Sequence, residues 1–308
     1  MNYAVRPDGP EISGPEISGP APTSLGAPAS TRQAALKRSA ETVVSLVFFS
    51  ATTAWRGFTQ LFGPARPRLV ILYYHAVPAM YRARFARQLD AIRTGADAVV
   101  PADFCGPADR SRLLVAITFD DAFVSVVENA LPELAARDMT ATIFTPSAML
   151  GRSPGWQMEA SAEDRFERVA SEEMLLALPQ HVVTIGAHSM THPHLPAIGR
   201  HAAEAEIAGS RSELSTLIGR SVDVFAFPYG EYDDQVVELC RSAGYRFAYT
   251  IMPREFDPAD PSFLRGRIAV RLDDSPLEFW LKMRGAYSWL TPARRIVRRL
   301  LRRGRHRS

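Results

Sequence analysis

The stretch "LLVAITFDD", from Leu113 to Asp121, is a run of apolar and β-branched residues that ends in two adjacent carboxylates. Its length and composition are typical of a strand that is buried on both faces, as in a parallel sheet. Aspartate is seldom buried without a partner, so two of them at the end of such a strand need a compensating charge. The stretch therefore predicts a buried strand that ends in Asp120 and Asp121, one of which has a divalent cation as its partner.

Runs of the same kind recur along the chain, at 68–75, 140–145, 182–187, 222–227, 246–251 and 266–270. Helical patterns lie between them: 122–138, in which Pro132 should kink or restart the helix, and 195–219 and 233–244, each ended by its glycine. Strands that alternate with helices predict an α/β fold, either a barrel or a doubly wound sheet. In both architectures the chemistry is expected at the carboxyl ends of the strands.

Polar residues collect at these predicted strand ends. His75 follows the first run, Asp120–Asp121 end the second, His188 follows the fourth, and Pro228–Tyr229 follow the fifth. Two imidazoles and one carboxylate with an open position form a hydrolytic zinc-type site, and a second carboxylate stays free as a general base. His188 and His192, four residues apart, are the imidazole pair. Because successive strand residues point to opposite faces, both aspartates reach one pocket only if a turn begins there.

Three motifs in this order resemble the polysaccharide deacetylase family, the NodB-homology domain of carbohydrate esterase family 4. They are "TFDD" (Thr118–Asp121), "HSMTH" (His188–His192) and "FPYG" (Phe227–Gly230). The resemblance covers about Arg68 to Val270 and implies a distorted (β/α) barrel that removes acetyl groups from N-acetylated sugars. It implies Asp120 as the general base and a Zn²⁺ or another divalent transition metal held by Asp121, His188 and His192. The tetrahedral oxyanion is expected at the metal and at a backbone N–H near Tyr229, which follows Pro228.

The chain departs from the family's usual pattern at two points. Ala226 or Phe227 stands where an arginine usually precedes Pro–Tyr and orients the base. Arg265 and Arg267, beside the last predicted strand, are the candidates to replace that arginine.

The usual histidine near the end of the domain is also missing, because none occurs between His201 and His306. "LYYHAVP" (Leu72–Pro78) resembles the branch related to poly-N-acetylglucosamine deacetylases, in which a histidine at the end of an N-terminal strand takes the place of the acid. On that resemblance His75 is the general acid, and the alternative is a strand-end residue bonded to the backbone.

Other polar and aromatic residues have simpler interpretations. His194 is expected to be a loop residue near the site and not a ligand. Trp156 and Tyr229 either stack on a sugar or belong to the core. Asp273–Asp274 lie in a polar turn and are expected to be solvated, and the two cysteines are expected to have no role.

The predicted organisation is a disordered Pro/Gly-rich segment 1–35, an amphipathic or apolar helical segment 36–66, a catalytic domain 67–285 and an Arg-rich tail 286–308. The apolar run from Glu41 to Trp55 is too short to span a membrane, which takes about 20 apolar residues. We expect an amphipathic helix that lies on a membrane or packs on the domain; a signal anchor is the alternative.

The charge of the chain is concentrated at its end. The net charge is +3, yet residues 291–308 hold eight arginines and no acidic residue. Such a tail predicts contact with an anionic membrane surface, and a solvated tail is the alternative. Nucleic acid is not expected, because no aromatic interleaving or binding fold accompanies the charge. With no disulfide framework, these features predict an enzyme at the inner face of a bacterial cytoplasmic membrane, where lipid-linked glycans are built.

The sequence thus predicts a metal-dependent hydrolase that removes N-acetyl groups from a poly- or oligosaccharide. Two alternatives stay open: the same site acting on a different amide or ester, and a non-catalytic, membrane-associated glycan-binding module. Asp120 distinguishes the enzyme from the module, because a binding protein has no use for a second carboxylate beside the metal.

Overall fold

A computed structural model of the protein describes residues 29–63, 65–106, 113–158 and 163–293. The disorder expected for 1–35 falls outside these residues up to position 28. The arginine-rich segment 294–308 falls outside them entirely. One compact unit ends at Glu41, and a second begins at Thr42.

The described residues form ten strands in one sheet. These are β1 (Arg68–Tyr74), β2 (Ala98–Val99), β3 (Leu113–Phe119), β4 (Ala141–Thr145), β5 (Val183–Ala187), β6 (Val224–Ala226), β7 (Phe247–Thr250), β8 (Glu255–Phe256), β9 (Leu264–Gly266) and β10 (Ile268–Ala269). The order β10-β1-β3-β4-β5-β6-β7-β9 is parallel throughout, with β2 parallel to β3 and β8 antiparallel to β1. The seven runs predicted as strands each contain a strand, the last as the two-residue β10. β2, β8 and the first two residues of β9 were not predicted.

The last two strands close the sheet. β9 and β10 are separated by the single residue Arg267, and they bond to opposite ends of the strand order. In β9, Arg265 pairs with Tyr249 of β7, while in β10, Ile268 pairs with Leu72 of β1. The segment from Leu264 to Ala269 thereby joins the two edges into a nearly closed barrel. This confirms the predicted distorted (β/α) barrel and excludes the doubly wound sheet.

Seven α-helices accompany the described strands: α1 (Ala29–Thr59), α2 (Arg82–Gly95), α3 (Leu131–Ala135), α4 (Glu172–Leu176), α5 (Arg200–Ile218), α6 (Asp234–Ser242) and α7 (Pro276–Met283). A wide π turn at Val126–Ala130 precedes α3, and Pro132 lies in the first turn of the new helix, as expected of a residue that restarts it. Gly219 ends α5 with a φ of 67°, a left-handed value that glycine adopts without strain. None of the described helices is long and apolar enough to cross a bilayer.

Two apolar layers follow from the alternation of side chains along the strands. In β1, Val70 and Leu72 face the helices, while Leu69 and Ile71 face the barrel interior. Phe144 fills the interior beside Gly186 of β5, where a Cβ atom would lie 2.6 Å from the phenyl ring. The interior is therefore packed with apolar side chains, and its polar residues lie at the carboxyl ends of the strands.

Candidate active site

The two aspartates reach one pocket through a left-handed turn at the end of β3. The amide of Asp120 donates to the carbonyl of Tyr74 at 2.9 Å, so Asp120 still continues the strand pairing. The next two residues, Asp121 and Ala122, have φ values of 69° and 51°. This reversal removes the alternation that would otherwise send the two carboxylates to opposite faces. Both are buried, with 4% and 2% of their surface exposed.

The histidine pair is positioned by a second tight loop, after β5. Ser189 and His192 both have a φ of 62°, and the amide of His192 donates to the Ser189 hydroxyl at 3.0 Å. The loop turns both imidazoles toward one carboxylate oxygen. From Asp121 Oδ1, the Nε2 atom of His188 lies 3.6 Å away and that of His192 lies 3.4 Å away.

Backbone strain is concentrated at this site. Of the six described non-glycine residues with left-handed φ, five belong to it: Asp121, Ala122, Ser189, His192 and Tyr229. Each such residue costs on the order of 1 kcal/mol or more, and it persists only where the surroundings fix it. The side chains at these positions are therefore held in place against a local preference of the backbone, which is typical of functional sites.

Asp121, His188 and His192 fit a divalent metal ion. One ligand atom from each lies within 4.8 Å of the others, and Asp121 Oδ1 is buried with no hydrogen-bond partner among the described residues. Burial lowers the pKa of His188 to about 4 and that of His192 to about 2, so both rings are neutral and can donate a lone pair. Burial and the neighbouring Asp120 charge raise the pKa of Asp121, which a bound cation would reverse. Two nitrogens and one oxygen with an open position suit zinc.

The two histidine rings are oriented by different means. The Nδ1–H of His188 donates to the carbonyl of Ala226 at 2.8 Å, which leaves Nε2 unprotonated and directed at Asp121. The ring of His192 is held by packing instead, stacked on Trp156 at 4.6 Å and in edge contact with Tyr229 at 4.6 Å. Both aromatic residues whose role the sequence left open therefore contact a candidate ligand.

Asp120 is held by Arg267 and stands apart from the three ligand groups. The guanidinium donates to both carboxylate oxygens, at 2.6 and 2.8 Å, and to the Thr118 hydroxyl at 3.2 Å. Arg267 is fully buried, and the rings of Tyr73 and Phe144 lie 4.8 and 5.1 Å from it. Burial alone would raise the pKa of Asp120, but the charge and hydrogen bonds of Arg267, together with the nearby imidazoles, outweigh it and lower the pKa to about 2. Asp120 is thus ionised at neutral pH.

Arg265 and Arg267 were the two candidates to replace the family's arginine, and of these only Arg267 contacts Asp120. Arg265 donates to the carbonyls of Phe104 and Asp260, at 3.0 and 3.3 Å, and stacks on Phe247 at 3.8 Å. Residues two apart face the same side of a strand but lie about 6.6 Å apart along it. Arg265 therefore binds loops farther from the strand ends, while Arg267 reaches the end of β3.

His75 and Tyr229 complete the surroundings of the cluster. His75 follows β1 and is exposed, and its ring lies 5.8 Å from that of Tyr73. It interacts electrostatically with Asp120, His188 and His192. Tyr229, behind the buried Pro228, has a φ of 57° and carries His194 stacked on it at 3.9 Å. His194 bonds to Glu231 and lies outside the group of candidate ligands.

The prediction that both acids of Asp273–Asp274 are solvated is wrong for Asp274. Its carboxylate is fully buried and accepts two hydrogen bonds from Lys282 Nζ, at 2.8 and 2.7 Å. Asp273 stays 40% exposed and pairs with Arg271. The turn leads directly into α7, whose last turn brings Lys282 against it, a tertiary contact that the local sequence does not reveal.

Two residues of α5 support the histidine loop and were not predicted. The Glu206 carboxylate accepts from the amides of Met190 and Thr191, at 2.8 and 2.9 Å, and from the Thr191 hydroxyl at 2.6 Å. At Gly209 a Cβ atom would lie 2.4 Å from the sulfur of Met190. The loop between the two histidines is therefore fixed from outside. No motif marks Glu206, because its partners lie fifteen residues earlier in a separate element.

Comparison with known proteins finds likeness to one family. Residues 108–248 match the family model described as polysaccharide deacetylase. Among curated proteins, YxkH of Bacillus subtilis (strain 168), which carries the name of a polysaccharide deacetylase, is 26% identical over 143 residues. These residues are 46% of this chain and 46% of that protein, so the chain matches less than half the length of this relative.

Solved structures with the same fold include IcaB and the deacetylase PplD. IcaB from Ammonifex degensii is 23% identical, with a TM-score of 0.59 over 73% of this chain and 98% of that chain. PplD from Streptococcus pyogenes, solved in complex with acetate, is 19% identical, with a TM-score of 0.57 over 71% and 99%. At such identities the likeness shows the fold, and the chemistry has to be argued from this chain's own residues.

Replacing Glu206 with alanine should weaken metal binding without removing any candidate ligand. The three hydrogen bonds that hold the loop would be lost, and loss of such outer support lowers metal affinity roughly 10- to 100-fold. Zinc affinity measured by competition with a chromophoric chelator tests this directly. Glu204→Ala, an exposed position on the same helix, is the matched control and should bind zinc as the wild type does. Equal affinity in both variants would contradict the supporting role.

Proposed function

We propose that this chain belongs to the polysaccharide deacetylase family and is a metal-dependent hydrolase that removes acetyl groups from the nitrogen of an N-acetylated poly- or oligosaccharide. One observation carries the proposal. Asp120 is ionised, fixed by Arg267 and adjacent to three ligand-type groups, yet it is not one of them. A second, unligated carboxylate at this place has a use in moving a proton and none in holding a metal.

Asp121, His188 and His192 would hold the divalent ion, which when bound polarises the acetamide carbonyl and lowers the pKa of a water molecule. Asp120 accepts the proton of that water, because Arg267 occupies one lone pair on each of its oxygens and leaves the others available. The pKa of about 2 makes Asp120 a weak base. Asp120 therefore accepts the proton while the water attacks the acetamide carbonyl, and it does not retain that proton.

His75 supplies the proton that the departing amine requires. It follows β1, is exposed to solvent and interacts electrostatically with Asp120. The backbone N–H of Tyr229, behind Pro228 and next to the ring of His192, is the proposed donor to the oxyanion.

The proposed setting is the inner face of a bacterial cytoplasmic membrane, with Zn²⁺ as the metal and a lipid-linked N-acetylated glycan as the substrate. Cys105 and Cys240 are both free, which suits a reducing compartment. The Arg-rich tail supports attraction to an anionic surface.

The first experiment is acetate release from N-acetylglucosamine oligomers, with the metal content of each variant measured in parallel. Asp120→Asn should keep about one metal ion per chain and lose acetate release by about 100- to 10,000-fold, the size of a general-base contribution. Asp121→Asn and His192→Ala should lose the metal itself.

Each outcome separates the alternatives. Undiminished acetate release by Asp120→Asn would refute its role as the base. Oligomer binding without acetate release by the wild type would favour a glycan-binding module. Hydrolysis of simple esters or other amides alone would indicate that the same site acts on a different substrate.

His75→Gln should slow the reaction only where the leaving group needs a proton. Acetate release from N-acetylglucosamine oligomers should fall by about 100-fold, because an amine cannot leave unprotonated. Hydrolysis of 4-nitrophenyl acetate should fall by less than about tenfold, because nitrophenolate leaves as an anion. His201→Gln, exposed on α5, is the control. Equal losses on both substrates would show that His75 is not the acid.

Arg267→Met should move the acid limb of the pH profile of kcat/KM to higher pH. The base works when ionised; Arg267 holds its pKa low, and burial without that charge raises it. Breaking a buried ion pair also costs about 3–5 kcal/mol of stability. Arg265→Met is the matched control: it removes a buried arginine two residues away and should leave the acid limb in place. Arg267→Lys should restore part of the shift, and an unmoved limb in Arg267→Met would contradict the assignment.

A further inference from the structure

The segment from Thr42 to Phe62 has one face packed on the domain. Thr42 shares a hydrogen bond of 3.1 Å with the Tyr287 hydroxyl, and Ser45 accepts one from the Trp289 indole at 2.9 Å. Phe49 makes an edge contact with Trp280 of α7. These contacts recur at three- and four-residue spacing, so they fix one side of the helix and leave the other side outward.

The outward side is apolar and exposed, and we call it the outer face. Its large side chains are between 41% and 79% exposed; they are Val43, Val44, Leu46, Val47, Trp55, Phe58, Leu61 and Phe62. They make up eight of the twelve exposed large hydrophobic residues described between 42 and 293. The scattered remainder needs no explanation, but a contiguous group of this size marks an interaction surface.

Charged residues are missing from this face. Between residues 42 and 62 the one charged residue is Arg56, and its guanidinium pairs with Glu255 of the domain at 2.8 Å. A surface helix in contact with water normally presents charged side chains on its outer side. The part of α1 from Thr42 to Thr59 therefore offers an uncharged face about 27 Å long, at 1.5 Å per residue.

Charge complementarity indicates what covers the outer face. The Trp289 indole donates a hydrogen bond to Ser45, so the chain contacts α1 four residues before Ala293. The eight arginines of 294–308 follow in sequence with no acidic residue among them. A second copy of this chain would bring a second excess of arginine to the same contact. Anionic lipid headgroups compensate the arginines, while the acyl boundary accepts the apolar side chains.

We propose that the outer face is a membrane-binding surface. The part of α1 from Thr42 to Thr59 lies in the plane of an anionic bilayer, with Val47, Trp55 and Phe58 in the interface. The positive charge carried by the sequence 294–308 favours such an anionic surface. Trp55, Phe58 and Phe62 lie near one end of the segment from Thr42 to Phe62, and aromatic residues of this kind are enriched at membrane interfaces. This inference stands on α1 and the chain end alone and goes beyond the proposed deacetylation.

Co-sedimentation of the full chain with vesicles tests it, using phosphatidylcholine alone and phosphatidylcholine with 30% phosphatidylglycerol (about a physiological anionic fraction). The wild type should bind the anionic vesicles at least about tenfold more tightly than the neutral ones, and high salt should reduce the difference. Trp55→Ser/Phe58→Ser should lower the partition coefficient by about tenfold or more. Quenching of tryptophan fluorescence by brominated lipid should be lost in the same variant.

Met80→Ser/Leu176→Ser is the matched control, since both residues are exposed and apolar but lie away from α1. It should bind vesicles as the wild type does. Equal loss in both double variants, or undiminished binding by Trp55→Ser/Phe58→Ser, would overturn the proposal. So would a dimer, seen by sedimentation equilibrium, that this variant dissociates while vesicles do not bind. Acetate release in solution should be unchanged by Trp55→Ser/Phe58→Ser, so failure here leaves the proposed catalysis untouched.

Discussion

A carboxylate cannot be buried in ionised form unless a positive charge is built beside it, and two adjacent buried carboxylates double that demand. In this barrel the first charge is Arg267, which grips both oxygens of Asp120. It is available only because the closing strand pairs with β7 on one side of it and with β1 on the other. The same strand pairing that closes the barrel therefore also holds Asp120 in its ionised form.

In the proposed function, the second charge is that of an exchangeable cation beside Asp121. Asp121 has two imidazoles and an unpartnered oxygen where Asp120 has a guanidinium, and the environments push their pKa values in opposite directions. Two neighbours of identical chemistry thereby acquire different roles. The left-handed backbone at Asp121 makes this division possible, because it points both side chains into one pocket while only one meets the arginine.

The sequence alone predicted the features that depend on residues close together in the chain. Short apolar runs predicted seven of the ten described strands, and the strand-end rule singled out Asp120, Asp121 and His188. It was insufficient where a partner comes from a distant element. Arg265 and Arg267 are indistinguishable by type and lie two residues apart, and only the register of the closing strand separates them. Glu206 and the buried state of Asp274 depend on helix packing, for which no local pattern exists.

The buried ion pair also bears on when the protein becomes competent during its synthesis. Asp120 and Arg267 are 147 positions apart, and the segment that matches the family model ends at residue 248, before the arginine has been made. A ribosome adding about 5–20 residues per second needs several seconds to cover that interval. Throughout it, the carboxylate lacks its partner and the barrel lacks its last strand. A nascent chain therefore acquires the ion pair that holds Asp120 only after Arg267 has been added.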